Sequence, residues 1–370
     1  MEKYILSICI PVYNGGRHLY KNVKNILSSL NKEIEVIVSD NCSEDGSIEE
    51  LKSISDSRLK VFVNKKNEGP FQNWYLALSR GSGKYLMLLQ DNDEIIIENL
   101  DKFVELCREM EAVVVKNSAS YMRPQNGVVS AAEFSYYSET LSHASFNMYK
   151  KDAFQKMRFQ PDSMDIKQTP YPMKFWDIAI LSKYDGRCKI GFINADIKIV
   201  RIPKGKIPSR TRQTARKIEE INYTYDWYVH YMKKTLHFFQ IKLKKKSTFL
   251  RHALYFFMGD IEDAIFRYYA TMADRELRKR YGVPQVSFSE KEWMEMNNAF
   301  CETYIRELEV YYKLSEQYKR LLWKITKVNG INFKIHYFKA EILKQKLWQT
   351  GLYCLKNNLE DTLKKLQERA

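Results

Sequence analysis

The chain has no CxxC pair: its six cysteines (Cys9, Cys42, Cys107, Cys188, Cys301 and Cys354) are scattered over 370 residues. That spacing speaks against zinc fingers and a disulfide frame, and predicts reduced, structural thiols. No apolar run approaches the roughly 20 residues needed to cross a bilayer. The stretch Ile5–Val12 is apolar, but no basic segment precedes it and a polar turn follows. It predicts a first strand in place of a secretion signal, and a chain that stays in the cytoplasm. Internal repeats, long low-complexity segments and the RRM, KH, helix-turn-helix and zinc signatures of nucleic-acid binders are all missing.

A globular composition remains, with 45% apolar residues and enough length for a substantial core. Residues 1–200 have 26 basic and 26 acidic side chains, whereas residues 201–370 have 34 and 19, so the whole excess of +15 sits in the second part. That asymmetry predicts two regions with different jobs.

The first part alternates short apolar strands with helical spacing. Ile5–Pro11 reads as a strand, and Leu19, Val23, Ile26, Leu27 and Leu30 then recur at helical intervals. Strands follow at Ile34–Ser39, Leu59–Asn64, Tyr85–Leu89 and Ala112–Lys116, with helices at Ile48–Ile54, Phe71–Leu78 and Ile96–Met110. Such alternation predicts an α/β fold, a mostly parallel sheet with helices on both faces.

The fourth strand ends directly in Asp91-Asn92-Asp93-Glu94. Two carboxylates one residue apart can share a hard divalent cation, which prefers oxygen ligands and often also binds phosphates. Ligands of open α/β sheets gather at such strand ends. The competing reading is an acidic cap on the helix that follows.

Several further motifs stand in order. Ser7-Ile8-Cys9-Ile10-Pro11-Val12-Tyr13-Asn14 forms a strand and turn, and Val38-Ser39-Asp40-Asn41-Cys42-Ser43-Glu44-Asp45-Gly46-Ser47 forms an acidic turn. Asn67-Glu68-Gly69 with Asn73 and Ala77 precedes Gly83-Lys84-Tyr85 and the acidic cluster. Over about residues 4–200 this set resembles the GT-A family 2 of nucleotide-sugar glycosyltransferases. The resemblance implies a Rossmann-like GT-A domain, here 1–214 with 201–214 a basic loop or linker, and the change of texture beyond it predicts a helical domain over 215–370. It implies a nucleoside diphosphate sugar as donor, UDP favoured, and a glycan or lipid-linked glycan of bacterial surface type as acceptor.

The residues give these roles a physical basis. Pro11 fixes φ, and Asn14-Gly15-Gly16 permits a sharp turn close to a planar base, on which Tyr13 can stack. Asp40 can accept from a uracil-like imide or a ribose hydroxyl; a local turn is the plainer reading. Asn67, Asn73, Asp91 and Asn92 complete the donor side. Mn2+ or Mg2+ on Asp93 and Asp91, Asp93 foremost, would offset the charge of the departing diphosphate. Gln90 and Asn92 stand where the family's commonest pattern has acids, and Trp176 stands for a glutamate. Asp177 is then the general base of an inverting transfer, with a helix N-cap as its alternative role. His143 is a candidate acceptor contact or a structural histidine. Arg201, Lys204, Lys206, Arg210 and Arg212 form a basic flap or a solvated linker. The replaced acids also admit a non-catalytic binding or scaffold protein that reuses the fold.

From about residue 215 amphipathic, aromatic-rich helices are predicted over 215–243, 247–281, 289–328 and 333–368, broken at Lys244–Lys246, Gly282-Val283-Pro284 and Asn329-Gly330. Basic residues mixed with Tyr, Trp and Phe suit an anionic membrane surface at the inner face of the cell membrane. They equally suit a helical bundle or homodimer interface, and nucleic acid is the weakest partner.

Overall fold

A computed structural model describes residues 3–117, 127–130, 145–157, 172–184, 189–193, 197–199, 225–257 and 290–338. The chain divides into two compact units, Met1–Gln213 and Thr214–Ala370. The first is built on strands β1 (Leu6–Val12), β2 (Ile34–Asp40), β3 (Leu59–Val63), β4 (Tyr85–Leu88), β5 (Asp93–Ile95), β6 (Ala112–Asn117), β7 (Gly127–Ser130), β8 (Met148–Lys150), β9 (Lys189–Ile193) and β10 (Ile197–Ile199). Its helices are α1 (Gly16–Leu27), α2 (Ser47–Leu51), α3 (Pro70–Ser79), α4 (Leu100–Glu109), α5 (Lys151–Lys156) and α6 (Pro172–Lys183).

Eight strands form one sheet in the order β3-β2-β1-β4-β8-β6-β9-β7. The half from β3 to β4 is parallel throughout. Beyond it β8 runs antiparallel to both β4 and β6, β9 is parallel to β6, and β7 is antiparallel to β9. The expected α/β architecture is present, with the far half more mixed than the alternation suggested.

Every residue of β1 and β2 is buried, as near-continuous apolar runs demand of strands covered on both faces. Leu6, Ile8, Ile10 and Val12 of β1 join Ile34, Val36 and Val38 of β2 in one core. Leu19, Val23, Ile26 and Leu27 of α1 close it, their spacing forming one helical stripe. Each such side chain contributes about 1.5–3 kcal/mol of transfer free energy.

The alternate β1 and β2 positions include Ser7, Glu35 and Ser39, and there polar atoms are satisfied in place. The buried Glu35 carboxylate accepts from the Ser7 hydroxyl (2.6 Å), the Ser82 amide (2.6 Å), the Ser82 hydroxyl (2.7 Å) and the Lys60 ammonium (2.7 Å). The chain can come this close only because residue 83 is glycine: a Cβ there would lie 2.9 Å from the Ser7 backbone nitrogen.

The expected helix over Ile96–Met110 starts later. Asp93–Ile95 is a short strand paired antiparallel with Ile197–Ile199, a 3-10 turn covers Ile97–Asn99, and α4 begins at Leu100. A run of three isoleucines favours extended backbone over helix. No side chain caps either helical segment, so the acidic cluster is not a helix cap.

In the second unit helices cover Tyr225–Lys242, residues 246–257, Glu290–Glu309 and Glu316–Phe338. Asn329-Gly330 does not end a helix, contrary to expectation. Glycine inside a helix costs only about 1 kcal/mol and gives way to packing. The break falls instead at 310–315, where Ser315 caps the next helix by accepting from the Tyr318 amide (3.2 Å). Many of the aromatics are core. Phe239 packs on Phe249, His252 and Phe256, and the Tyr304 and Tyr318 hydroxyls donate to the Ala253 and Leu250 carbonyls (2.6 and 2.7 Å). The parts of the expected helices over 258–281 and 339–368 lie outside the described residues. Cys9, Cys42, Cys107 and Cys301 are free thiols, as the spacing predicted.

Burial alone would push the Glu35 carboxyl up, but Lys60, Ser7 and Ser82 outweigh it and hold it below its ordinary 4.5. A carboxyl depressed in the folded state stabilises the fold fully above that ordinary value and loses its contribution as pH falls through the folded value. Urea midpoints should therefore drop as the pH goes below 4.5, and Glu35→Gln should flatten that slope while lowering the midpoint at neutral pH. An unchanged slope would show that Glu35 is not a determinant of acid stability.

Candidate active site

After β1 the chain winds outward to β2 and β3, then returns to the other side of β1 as β4. Strand order reverses there, at the carboxyl ends of β1 and β4, the place where open α/β sheets gather their ligands. Pairing of the two strands stops at Cys9 and Leu88, closed by the Leu89 amide on the Cys9 carbonyl (2.9 Å). Pro11 presents its backbone on the same side as Cys9, just past that point, where a missing N–H leaves no ladder bond unmade. Tyr13 and Asn14 follow β1, Asp40 ends β2, and Gln90–Asp93 follow β4, so these predicted site residues share one edge of the sheet.

The turns after β1 and β2 are laced together. Asn14 adopts a left-handed φ of 54°. Its amide donates to the Ser43 hydroxyl (2.7 Å), and its side-chain oxygen accepts from the Glu44 amide (2.9 Å). Asp45 accepts from the Gly16 amide (2.8 Å), the Ser47 amide (3.1 Å) and the Ser47 hydroxyl (2.6 Å). Burial raises the Asp45 carboxyl, but these bonds prevail and hold it below the ordinary range. The Asp40 carboxylate accepts from the amide (3.1 Å) and hydroxyl of Ser43. Asp40 therefore shapes the turn, the plainer of its two expected roles.

Asn67 and Asn73, expected on the donor side, belong to a network that sequence reasoning did not find. Asn73 donates to the Ser39 carbonyl (2.8 Å) and the Val12 carbonyl (3.3 Å), and its oxygen accepts from Ser39 (2.6 Å) and Asn64 (3.0 Å). Asn41 joins Asn64 (3.1 Å), Asn67 (2.8 Å) and the Glu68 amide (2.9 Å). Arg80 closes it on Ser39 (2.5 Å) and Asn64 (2.8 Å) while lying 5.0 Å over the Phe62 ring. The available signal was the recurrence of asparagine just beyond successive strands.

At the tip of β4, Asp91 and Asn92 are half-exposed, whereas Asp93 is 1% exposed. The Ser145 hydroxyl donates to the Asp93 carboxylate and accepts from the Gln90 amide (2.8 Å). Asn22 donates to the Asp93 carbonyl (2.8 Å). Asp93 thus latches the turn, and Asp91 is the acid nearer the surface. Among the described residues no group of three His, Cys, Asp or Glu stands ready for a metal. Asp91, half-exposed, offers the hard oxygen type that such a cation takes alongside phosphate and water.

Asp177 is not a helix N-cap, because α6 begins at Pro172 and carries it in the second turn. It is fully buried and ion-paired with the equally buried Lys116 at 2.6 Å. Lys116 also donates to the Asn147 side-chain oxygen (2.6 Å) and lies 5.9 Å over the Tyr149 ring. Burial and then the Asp177 charge push the Tyr149 hydroxyl well up. Trp176 packs edge-on against Tyr149 and Phe154. Lys116, Asn147 and Tyr149 were missed; the one signal was a lysine closing the apolar run Ala112–Val115. His143, Arg201, Lys204, Lys206, Arg210 and Arg212 lie outside the described residues.

Residues 7–166 match the family described as Glycosyl transferase family 2. Glycosyltransferase GlyG of Streptococcus pneumoniae is 25% identical over 229 residues, 55% of this chain and 72% of that protein. The GalNAc(5)-diNAcBac-PP-undecaprenol beta-1,3-glucosyltransferase of Campylobacter jejuni is 27% identical over 170 residues, 42% of this chain and 55% of that protein. The chain spans about half the length of several curated relatives it matches. Crystal structures of S. aureus TarS 1-349 share the fold: the TM-score is 0.54 at 14% identity, covering 92% of this chain and 95% of that one. That protein was also solved with UDP-GlcNAc and with UDP.

Removing one member of a buried ion pair strands the other charge, at a cost of about 3–5 kcal/mol. Asp177→Asn should therefore lower stability by about that amount in urea unfolding, even though the side chain keeps its size. The double change Lys116→Met with Asp177→Leu should recover most of the loss. A single Asp177→Asn variant as stable as the parent would show that the pair is not held as described.

Proposed function

We propose that the first unit transfers a sugar from a nucleoside diphosphate donor, UDP favoured, to a glycan or lipid-linked glycan, with inversion at the anomeric carbon. One observation carries this reading: the turns after β1, β2 and β4 meet where strand order reverses, in a domain of the glycosyltransferase family. A base and ribose would lie against the turn Tyr13–Asn14, which Ser43, Glu44 and Asp45 hold rigid. The diphosphate would lie beside Asp91 and Asn92.

Mn2+ or Mg2+ held by Asp91, with Asp93 behind it, would supply charge to offset the leaving diphosphate. Asp177 is the proposed general base that takes the acceptor proton. Lys116 offsets the cost of burying its carboxylate. A lipid-linked acceptor is supported by the Campylobacter relative, whose name places undecaprenol in its substrate. No described helix is long and apolar enough to cross a membrane. With many second-unit aromatics in the core, its basic excess is what remains to attract an anionic lipid surface.

Incubation of the purified chain with a panel of UDP-sugars, with Mn2+ or with EDTA, tests the central reading. Donor hydrolysis or transfer that EDTA abolishes is expected, and the absence of donor binding and turnover across the panel would overturn it. Asp91→Ala and Asp93→Ala should each weaken diphosphate binding and blunt the metal response. Asp177→Asn, at a temperature where it stays folded, should bind UDP normally and transfer at least about a hundredfold more slowly. UDP binding with turnover indifferent to all three changes would point instead to a binding protein on this fold.

Vesicles rich in anionic lipid should sediment the chain in low salt and release it in high salt. Binding that ignores both salt and lipid charge would remove the membrane surface from the proposal.

A further inference from the structure

Between the acidic turn and the buried ion pair lies a three-residue segment with no role so far. Ser145, Phe146 and Asn147 are all buried. The Phe146 amide donates to the Leu88 carbonyl (2.7 Å), and the Leu88 amide donates to the Asn147 carbonyl (2.9 Å), so the segment is clamped to the end of β4. Phe146 has a φ of 66° although it is neither glycine nor asparagine, and its ring packs edge-on against Phe103 with centroids 5.7 Å apart. A bulky residue keeps a left-handed backbone only where its surroundings dictate it, and such residues gather at functional sites.

The two neighbours of Phe146 reach opposite halves of the site. On one side the Ser145 hydroxyl uses its single proton on the Asp93 carboxylate and a lone pair on the Gln90 amide. On the other, the Asn147 side-chain oxygen accepts from the Lys116 ammonium, which also holds Asp177 at 2.6 Å. We propose that Ser145–Phe146–Asn147 is a rigid strut coupling the two halves of the reaction site. Ser145 is the positioning residue for the turn that receives the nucleoside diphosphate and its cation. Asn147 is the positioning residue for the Lys116–Asp177 pair on the acceptor side. This rests on the glycosyl-transfer reading above and adds a division of labour to it. The strut fixes the spacing between the diphosphate and the base, the quantity an in-line displacement depends on most.

The test separates binding from turnover. UDP is titrated calorimetrically into the full chain in the presence of Mn2+, and transfer kinetics are measured beside it, for Ser145→Ala, Ser145→Thr and Asn147→Ser. Ser145→Ala should raise the UDP Kd about tenfold, the scale of one lost hydrogen bond to a charged group, while Ser145→Thr restores it. Asn147→Ser should leave the UDP Kd unchanged and lower kcat about tenfold. Equal effects of Ser145→Ala and Asn147→Ser on both measures, or no effect on either, would overturn the strut. Wild-type protein that binds no UDP with Mn2+ would overturn the glycosyl-transfer reading itself, a result distinguishable from the former because no variant is needed to see it.

Discussion

The site depends on the parting of two strands. β1 and β4 run side by side up to Cys9 and Leu88, then separate, and every group exposed by that separation needs another partner. Backbone donors and acceptors taken from a ladder and left buried each cost about 1–3 kcal/mol, so the fold supplies substitutes. On the β1 side Pro11 removes the donor altogether, while the Val12 carbonyl, which faces β2, keeps the Asn41 amide and gains the Asn73 side chain. On the side of β4 away from β1, the Leu88 amide and carbonyl bond Asn147 and Phe146, and the Gln90 amide bonds Ser145, so the pairing with β8 continues past the point where β1 leaves. Polar side chains at the carboxyl end of this sheet are therefore structural first.

The same logic explains the charges inside. A buried carboxylate persists only with a compensating set of donors, and this unit provides two solutions. Glu35 lies at the far end of β2 from the site, fed by two hydroxyls, an amide and a lysine that reaches solvent. Asp177 has a buried lysine, which in turn leans on Asn147 and the Tyr149 ring. Four donors let the Glu35 arrangement act as a pin. The Asp177 arrangement keeps a charge poised in a dry place, where an electrostatic field acts at greater strength than in water. A stabilising role alone would be served as well by apolar side chains of similar volume, and that makes the pair a better candidate for chemistry than for architecture.

What the sequence showed was what local pattern can carry. β1 to β4 were legible because each is a short apolar run, and β1 is followed by a helix with a clear stripe of Leu19, Val23, Ile26 and Leu27. β7 to β10 were less so: they are three to five residues long, and β7, β8 and β10 pair antiparallel across gaps that no short-range pattern records. Within the site, residue types were legible and their partners were not. Asp93 looked like the leading metal ligand because nothing near it in sequence shows that Ser145 holds its carboxylate from 52 positions away. Asp177 looked like a helix start because the turn from Pro172 before it carries no capping signal, and its true partner Lys116 ends a strand that reads as plain core. The helix through Asn329-Gly330 fails for the opposite reason: a local breaker signal is present, and the helix runs through it.

The replacement of acids by amides at Gln90 and Asn92 then acquires a meaning. With Asp93 tied to Ser145, the half-exposed residues at this strand end include Asp91, the neutral Asn92 and Glu94. A divalent cation binds weakly to one carboxylate among waters, and tightly only when several hard oxygens converge. A cation recruited here would take most of its oxygens from the diphosphate, so cation and donor would arrive as one unit instead of in sequence. Less fixed charge also means less repulsion toward a diphosphate that enters without its metal. The amides keep hydrogen-bonding capacity while lowering that repulsion, which suits a crevice whose walls already hold a left-handed Asn14 and the buried Asp40.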